Sequence, residues 1–134
     1  GGSIARRITA IAGASAYFKG SIVCYSETVK TDILKVRKET IEKYSVVSEE
    51  VAREMALNVQ KLLNTDYALA VTGSAGPTKD ATNEELGTVF IALATPDAVF
   101  VKKFSFGQPR DKVIDRAVNK SFELLQKEIL KNVQ

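Results

Sequence analysis

The sequence predicts an α/β domain in which helices cover both faces of a mixed, partly antiparallel sheet. Three observations carry that prediction. Apolar, β-branched runs too short for helices appear as GSIVCYS (residues 20–26), DYALAVT (66–72) and GTVFIALAT (87–95). Stretches with apolar residues at three- to four-residue steps lie between and after them. The two kinds of segment are interleaved along the chain, which favours helices layered on a sheet over separate all-α and all-β units. At 134 residues the chain has the size of one domain, read here as a single unit over residues 1–134.

Taken in order, Ile4, Ala5, Ile8 and Ile11 recur at helical spacing around Arg6 and Arg7, which reads as a short amphipathic helix ending at Gly13. GSIVCYS follows as a buried strand, and Ser26 caps a helix through about Leu34 with Glu27 in its first turn. The basic residues between Lys35 and Lys38, followed at once by Glu39 and Glu42, read as a solvated helix end. Ser48 is an N-cap, with Glu49 and Glu50 in the first turn and Val51, Met55, Val59 and Leu62 as the apolar stripe of a helix ending near Asn64. DYALAVT is apolar on both faces and suggests a central strand. GTVFIALAT and the alternating AVFVKKFSF (98–106), joined through Pro96 and Asp97, form an antiparallel hairpin. Pro109 then opens a final amphipathic helix carrying Val113, Ala117, Phe122, Leu125 and Ile129.

Composition excludes several classes of function. The net charge of +3 is a small excess of 19 Lys and Arg over 16 Asp and Glu, interspersed rather than blocked, so no nucleic-acid footprint is indicated. No apolar run approaches the length of a membrane span. The single Cys24 and the lack of a visible signal peptide point to a reducing cytosol. There is no histidine. That removes Ser-His-Asp and Cys-His catalysis within the chain, and with one cysteine it removes a Cys/His zinc site. Any acid-base group must therefore be a carboxylate, Lys, Tyr or Cys.

Four places could carry chemistry. Tyr25 and Lys30 lie five residues apart across a strand-to-helix junction, where both can turn toward one mouth. Desolvation disfavours the ammonium form of a lysine, which is how such amines come to act as bases. On spacing alone, a tyrosine packed at a strand end and a solvated lysine is the commoner outcome. TGSAGP (72–77) follows an apolar strand, and its Thr72, Gly73, Ser74 and Gly76 would let a phosphate or carboxylate approach the backbone. It matches neither GxGxxG nor a P-loop, so a tight turn explains it as well. GASA (13–16) offers the Gly13 and Ser15 amides to an oxyanion, or is simply a helix C-cap. Arg110, near the start of the last helix, can meet a phosphate through two nitrogens or remain solvated.

In combination, GGSIARRITAIAGASAYFKGSIVCYSETVK, YSVVSEEVAREMA, DYALAVTGSAGP, GTVFIALA and the terminal helix resemble the C-terminal domain of the CinA family, the competence- and damage-inducible proteins, with the PncC type of nicotinamide mononucleotide amidohydrolase. The resemblance runs in order over nearly the whole chain. It implies a three-layer α/β/α sandwich. It also implies an enzyme that converts the carboxamide of nicotinamide mononucleotide to nicotinate mononucleotide and ammonia in pyridine-nucleotide salvage, with no metal or cofactor. The family's nucleophile is a serine in a Glu-Ser-Cys-Thr-Gly-Gly stretch, completed by Tyr and Lys of a Tyr-Ser-Asn-x-x-Lys stretch. Tyr25 and Lys30 match the latter, with Glu27 in place of Asn, and Gly1 and Gly2 match the two glycines.

The resemblance thus puts the serine three residues upstream of Gly1, together with a strand ahead of it that the sheet of this chain is expected to lack. Ser3 follows the glycines and does not substitute. Residues 78–86, TKDATNEEL, replace a glycine-rich family loop, and Gly107-Gln108-Pro109-Arg110 is one residue longer than the family's Gly-Asp-Arg. By this reading Lys30 and Tyr25 activate the upstream serine, Gly13 and Ser15 face the oxyanion, and residues 72–76 with Arg110 hold ribose and phosphate. A non-catalytic nucleotide-binding or interaction module is the alternative, and a Tyr/Lys oxidoreductase is disfavoured by the missing GxGxxG. The expected partners are a small nucleotide and, through an open sheet edge, a second copy of the chain.

Overall fold

GTVFIALA becomes the strand on which the rest is built. In the computed structural model, which describes residues 1–76 and 84–133, strand β2 (Thr88–Ala94) is buried at every position. It is flanked by β1 (Ala68–Gly73) and β3 (Val99–Ser105), both antiparallel to it, giving the order β1-β2-β3. The helices are α1 (Ser3–Thr9), α2 (Glu27–Asp32), α3 (Lys38–Tyr44), α4 (Glu49–Leu63) and α5 (Arg110–Val133), with one 3-10 turn at Ala14–Ala16.

The period-two alternation of the strands separates two cores. Ala70, Ala92 and Val101, which pair across the sheet, face Val51, Ala52, Met55 and Ala56 of α4. Val71, Val89, Ile91 and Phe104 face the other way, onto Val113 and Ala117 of α5. Helix, sheet and helix thus form three layers, as expected of the α/β class. The hairpin at Pro96 and Asp97 also forms. Thr95 closes it, since its side-chain oxygen accepts from the amides of Asp97 and Ala98 at 3.2 and 3.0 Å.

Several expectations are corrected. Residues 20–26 are not a strand: they run extended, with Ile22 and Cys24 against the α4-side core and Val23 exposed, but join no ladder. The sheet of the described residues is antiparallel throughout. Residues 38–44 form a complete helix, α3, where the charge pattern indicates only a helix end; its single inward pair, Thr40 and Ile41, is too short a pattern to register as periodicity. Helix α1 stops at Thr9, and Gly13, with φ of 88°, starts the 3-10 turn instead of ending a helix. Leu62 of α4 is exposed, because the buried stripe runs through Ala52 and Ala56.

The predicted caps of α4 form. The Ser48 hydroxyl oxygen accepts from the Val51 amide at 3.2 Å and donates to the Ser45 carbonyl at 2.8 Å, while Asn64 closes the helix in the left-handed region. Helix α4 is tied to α3 by Glu54. Its carboxylate takes the Arg37 amide at 3.0 Å and the Arg37 guanidinium at 3.4 Å. Burial pushes the Glu54 carboxyl up, but hydrogen bonds from Thr40 and Arg37, with the Arg37 charge, outweigh it and hold it below its ordinary value.

Two outcomes follow for stability. Ser48→Ala should lower unfolding free energy by about 1–2 kcal/mol in urea titrations, whereas Ser26→Ala, where the hydroxyl meets the exposed Thr28 hydroxyl and caps no helix amide, should cost less than about 0.5 kcal/mol. A depressed carboxyl contributes stability above its unfolded value, about pH 4.3, and that contribution is lost as pH falls through the folded value. Glu54→Gln should therefore flatten the acid limb of a stability-versus-pH curve below about pH 4.5 and leave its slope at neutral pH unchanged.

Candidate active site

Gly13 and Ser15 apart, most of the residues singled out in the sequence lie at two places, both beside β1. The first is a groove of about 770 Å³ along its outer edge. Gly1, Gly2, Ile4 and Ile8 line one wall with residues 17–25; Leu69 and Val71 of β1 and the α5 side chains Ile114, Phe122 and Leu125 line the other. The stripe on α5 predicted to be core is thus only partly so. Val113 and Ala117 are buried, while Phe122, Leu125 and Ile129 look into the groove.

Both long walls of this groove are backbone edges. The Ser74 amide donates to the Thr88 carbonyl and its carbonyl accepts from Gly87. Alternate residues of an antiparallel strand face the same neighbour, so Thr72 and Ala70 also bond to β2, while Leu69, Val71 and Gly73 turn their amides and carbonyls outward. No described strand pairs with that outer edge. Across the groove, residues 20–25 alternate as a strand would, and no backbone hydrogen bond joins them to another described segment. The groove therefore has the geometry of an open sheet position between two extended segments.

Tyr25 and Lys30 stand at one end of this extended wall. Tyr25 lines the groove and is 81% exposed, whereas Lys30, in α2, is buried to 8%. The Lys30 Nζ donates to the Cys24 carbonyl at 3.3 Å, and among the described residues no carboxylate meets it. A buried lysine with one hydrogen-bond acceptor and no carboxylate partner among the described residues is unusual, because lysines are seldom buried unless paired. The phenol is thus exposed at the groove, and the amine is buried against the Cys24 carbonyl. Gly2 caps α1 with φ of 84°, and Val23 lies 3.5 Å from where its Cβ would be. Gly13 and Ser15 are exposed in and beside the 3-10 turn and do not line the groove.

The second place is the end of β1. The Thr72 hydroxyl is occupied by the Val46 carbonyl at 3.0 Å, and the Ser74 amide by Thr88. Gly73 lies so close to β2 that a Cβ there would meet Val89 at 2.8 Å. Ser74 is fully buried, and its hydroxyl finds no hydrogen-bond partner among the described residues. Gly76, with φ of 86°, accepts from Arg110 Nη1 at 2.9 Å. The extra residue before Arg110 therefore does not keep it from this loop. Pro77 and residues 78–83 lie outside the described residues. Among the described residues no three Cys, Asp or Glu side chains form a metal-ligand set, and no helix is long and apolar enough to cross a membrane.

Sequence reasoning missed the groove wall on α5 and the glycines Gly87 and Gly107. The signal available for the glycines was their position flanking the strand hairpin at 87 and 107.

A family model described as the CinA C-terminal domain matches residues 1–129. A CinA-like protein of Flavobacterium psychrophilum is 58% identical over 132 residues, which make up 98% of this chain and 32% of that protein. A CinA-like protein of Fervidobacterium nodosum is 38% identical over 131 residues, again 98% of this chain and 32% of the relative. This chain thus spans about a third of the length of those curated relatives. Among solved structures, the competence damage-inducible protein A of Klebsiella pneumoniae superposes with a TM-score of 0.93 at 30% identity, covering 97% of this chain and 81% of that one. An Escherichia coli protein of the competence-damaged protein (CinA) superfamily gives a TM-score of 0.91 at 28% identity, covering 94% and 73%.

The edge geometry predicts a hydrogen-exchange pattern. In this chain the amides of Leu69 and Val71 should exchange at least about a hundredfold faster than those of Ala70 and Thr72. Equal protection of all four, read by two-dimensional NMR, would mean that the outer edge of β1 is paired after all.

Proposed function

This chain belongs to the CinA C-terminal domain family, and from that membership we propose that the protein containing it is an amidohydrolase acting on the carboxamide of nicotinamide mononucleotide. The observation that carries the proposal is Lys30: a buried amine with one carbonyl partner, at the end of a groove wall that also holds Tyr25. Membership supplies the chemistry that such an amine would serve. Lys30, with Tyr25 orienting or relaying the proton, takes the proton of a serine hydroxyl supplied by chain ahead of Gly1. The serine oxygen bonds to the carboxamide carbon, the C–N bond breaks and ammonia leaves with the proton; water then cleaves the acyl ester to the acid.

The open groove supports the same reading. Gly1 lines the groove, and the relatives extend well beyond the portion that matches. A strand leading into Gly1 would bond to Leu69 and Val71 on one side and to residues 20–25 on the other, covering apolar side chains of α5. It would deliver the residue three positions before Gly1 to the neighbourhood of Tyr25. Arg110 and Gly76 would then hold the phosphate at the end of β1.

The test is ammonia release from nicotinamide mononucleotide by the protein extended upstream of Gly1. Lys30→Ala and Tyr25→Phe should each lower kcat/KM by about a hundredfold or more, with the nucleotide still bound. Nucleotide binding without turnover in the unmutated protein would favour a binding module, and undiminished activity in both variants would remove the Tyr-Lys pair from the mechanism.

A further inference from the structure

The residue ahead of β2 and the segment between β3 and α5 make a backbone contact that only a glycine at position 87 permits. Gly87 has φ of 88°, and a Cβ on it would overlap the Gly107 carbonyl oxygen and lie 2.8 Å from the Gly107 nitrogen. No side chain fits into that separation at any rotamer. Gly107 itself has φ of 73°, but its own Cβ position is open, with the nearest atom, Arg116 Nη1, at 3.8 Å. The two positions therefore differ: one is closed by space and backbone together, the other by backbone alone.

Hydrogen bonds turn this approach into a closed circuit. The Gly87 amide donates to the Ser74 carbonyl at 2.6 Å, and the Gly87 carbonyl accepts from the Phe106 amide at 2.9 Å. Arg116 Nη1 donates to the Phe106 carbonyl, and Arg110 Nη1 returns to the Gly76 carbonyl at 2.9 Å. From Ser74 the path runs through Gly87 to Phe106 and Gly107, along the chain to Arg110, and back to Gly76. The guanidinium carries five N–H donors, so most of it stays available after the bond to Gly76. A planar donor fork held in one place is worth more to an anion than a mobile one, because less freedom is lost on binding.

We infer that Gly87 and Gly107 are positioning residues that hold Arg110 against the residue 74–76 turn to receive the phosphate of the nucleotide. This rests on the amidase reading above and adds to it a source of preference for a phosphorylated substrate over its nucleoside. Neither glycine touches the substrate. Their role is to fix where the guanidinium stands.

The experiment compares nicotinamide mononucleotide with nicotinamide riboside, which has the same carboxamide and no phosphate, using the protein extended upstream of Gly1. Gly107→Ala should raise KM for the mononucleotide about tenfold, with kcat within about twofold and with riboside kinetics unchanged. Gly107→Asn should restore much of the loss, since Asn tolerates the left-handed backbone better than Ala. A general structural defect would impair both substrates alike, and that result, or no change for either, overturns the inference. If Gly107→Ala does not fold, Gly107→Asn and Arg110→Lys carry the same comparison: Arg110→Lys should weaken only the mononucleotide. An unmutated protein that turns over neither substrate removes the amidase reading. The positioning role is then decided by calorimetry with nicotinamide mononucleotide, where about tenfold weaker binding by Gly107→Ala sustains it and unchanged or absent binding ends it.

Discussion

Strand β2 is buried on both faces and paired on both edges, and every other element answers to that. Seven consecutive residues are out of water, so each of its backbone groups must find a partner in β1 or β3, and each face must be covered by a helix. Phe90, Ala92 and Ala94 meet Val51, Ala52, Met55 and Ala56 of α4 on one face. On the other, α5 meets Val89 and Ile91 with Val113 and Ala117. The two faces are thus covered by different helices, and the elements that carry the candidate functional side chains hang from those two helices and the strand ends.

Strand β1 has the opposite character on one side. Its inner edge is fully engaged by β2, while its outer edge looks across an apolar groove at residues 20–25. An unpaired edge bordered by exposed apolar side chains is costly and prone to pair with whatever strand is available. That places the open part of the sheet beside the Tyr25 end of the wall, not in a remote corner of the fold. The second locus, at the end of β1, is built the other way, from backbone bonds that close on themselves through Gly87 and Phe106. One half of the candidate site is open along an edge and the other is closed by hydrogen bonds at a turn. Under the amidase reading proposed above, the two halves would serve different ends, one presenting the carboxamide to a nucleophile and the other holding the rest of the substrate still.

Much of the fold is legible in the sequence wherever the signal is local. Ser48 with two acids after it, the alternation across AVFVKKFSF and the turn at Pro96 and Asp97 are signals of that kind, and the corresponding helix cap and hairpin form where the residues indicate. The pairing of Arg110 with residue 76 joins segments 34 positions apart, and no periodicity could announce it. The same holds for Gly87, whose glycine is needed because the backbone of Gly107 passes against it, a fact invisible in either segment alone.

Residues 20–26 mark the boundary between the two kinds of information. That this stretch is extended and turns alternate side chains inward is written into its residues, because φ/ψ preference and apolar alternation are properties of the segment. Whether it became a strand depended on the assembled fold, because a ladder requires a neighbour at hydrogen-bonding distance and the position between it and β1 is open. For the same reason Tyr25 and Lys30 can be named as a pair from their order along the chain. Folding alone settled that the phenol faces the groove while the amine is buried beneath the Cys24 carbonyl, since burial depends on what packs above a residue and not on its place in the chain.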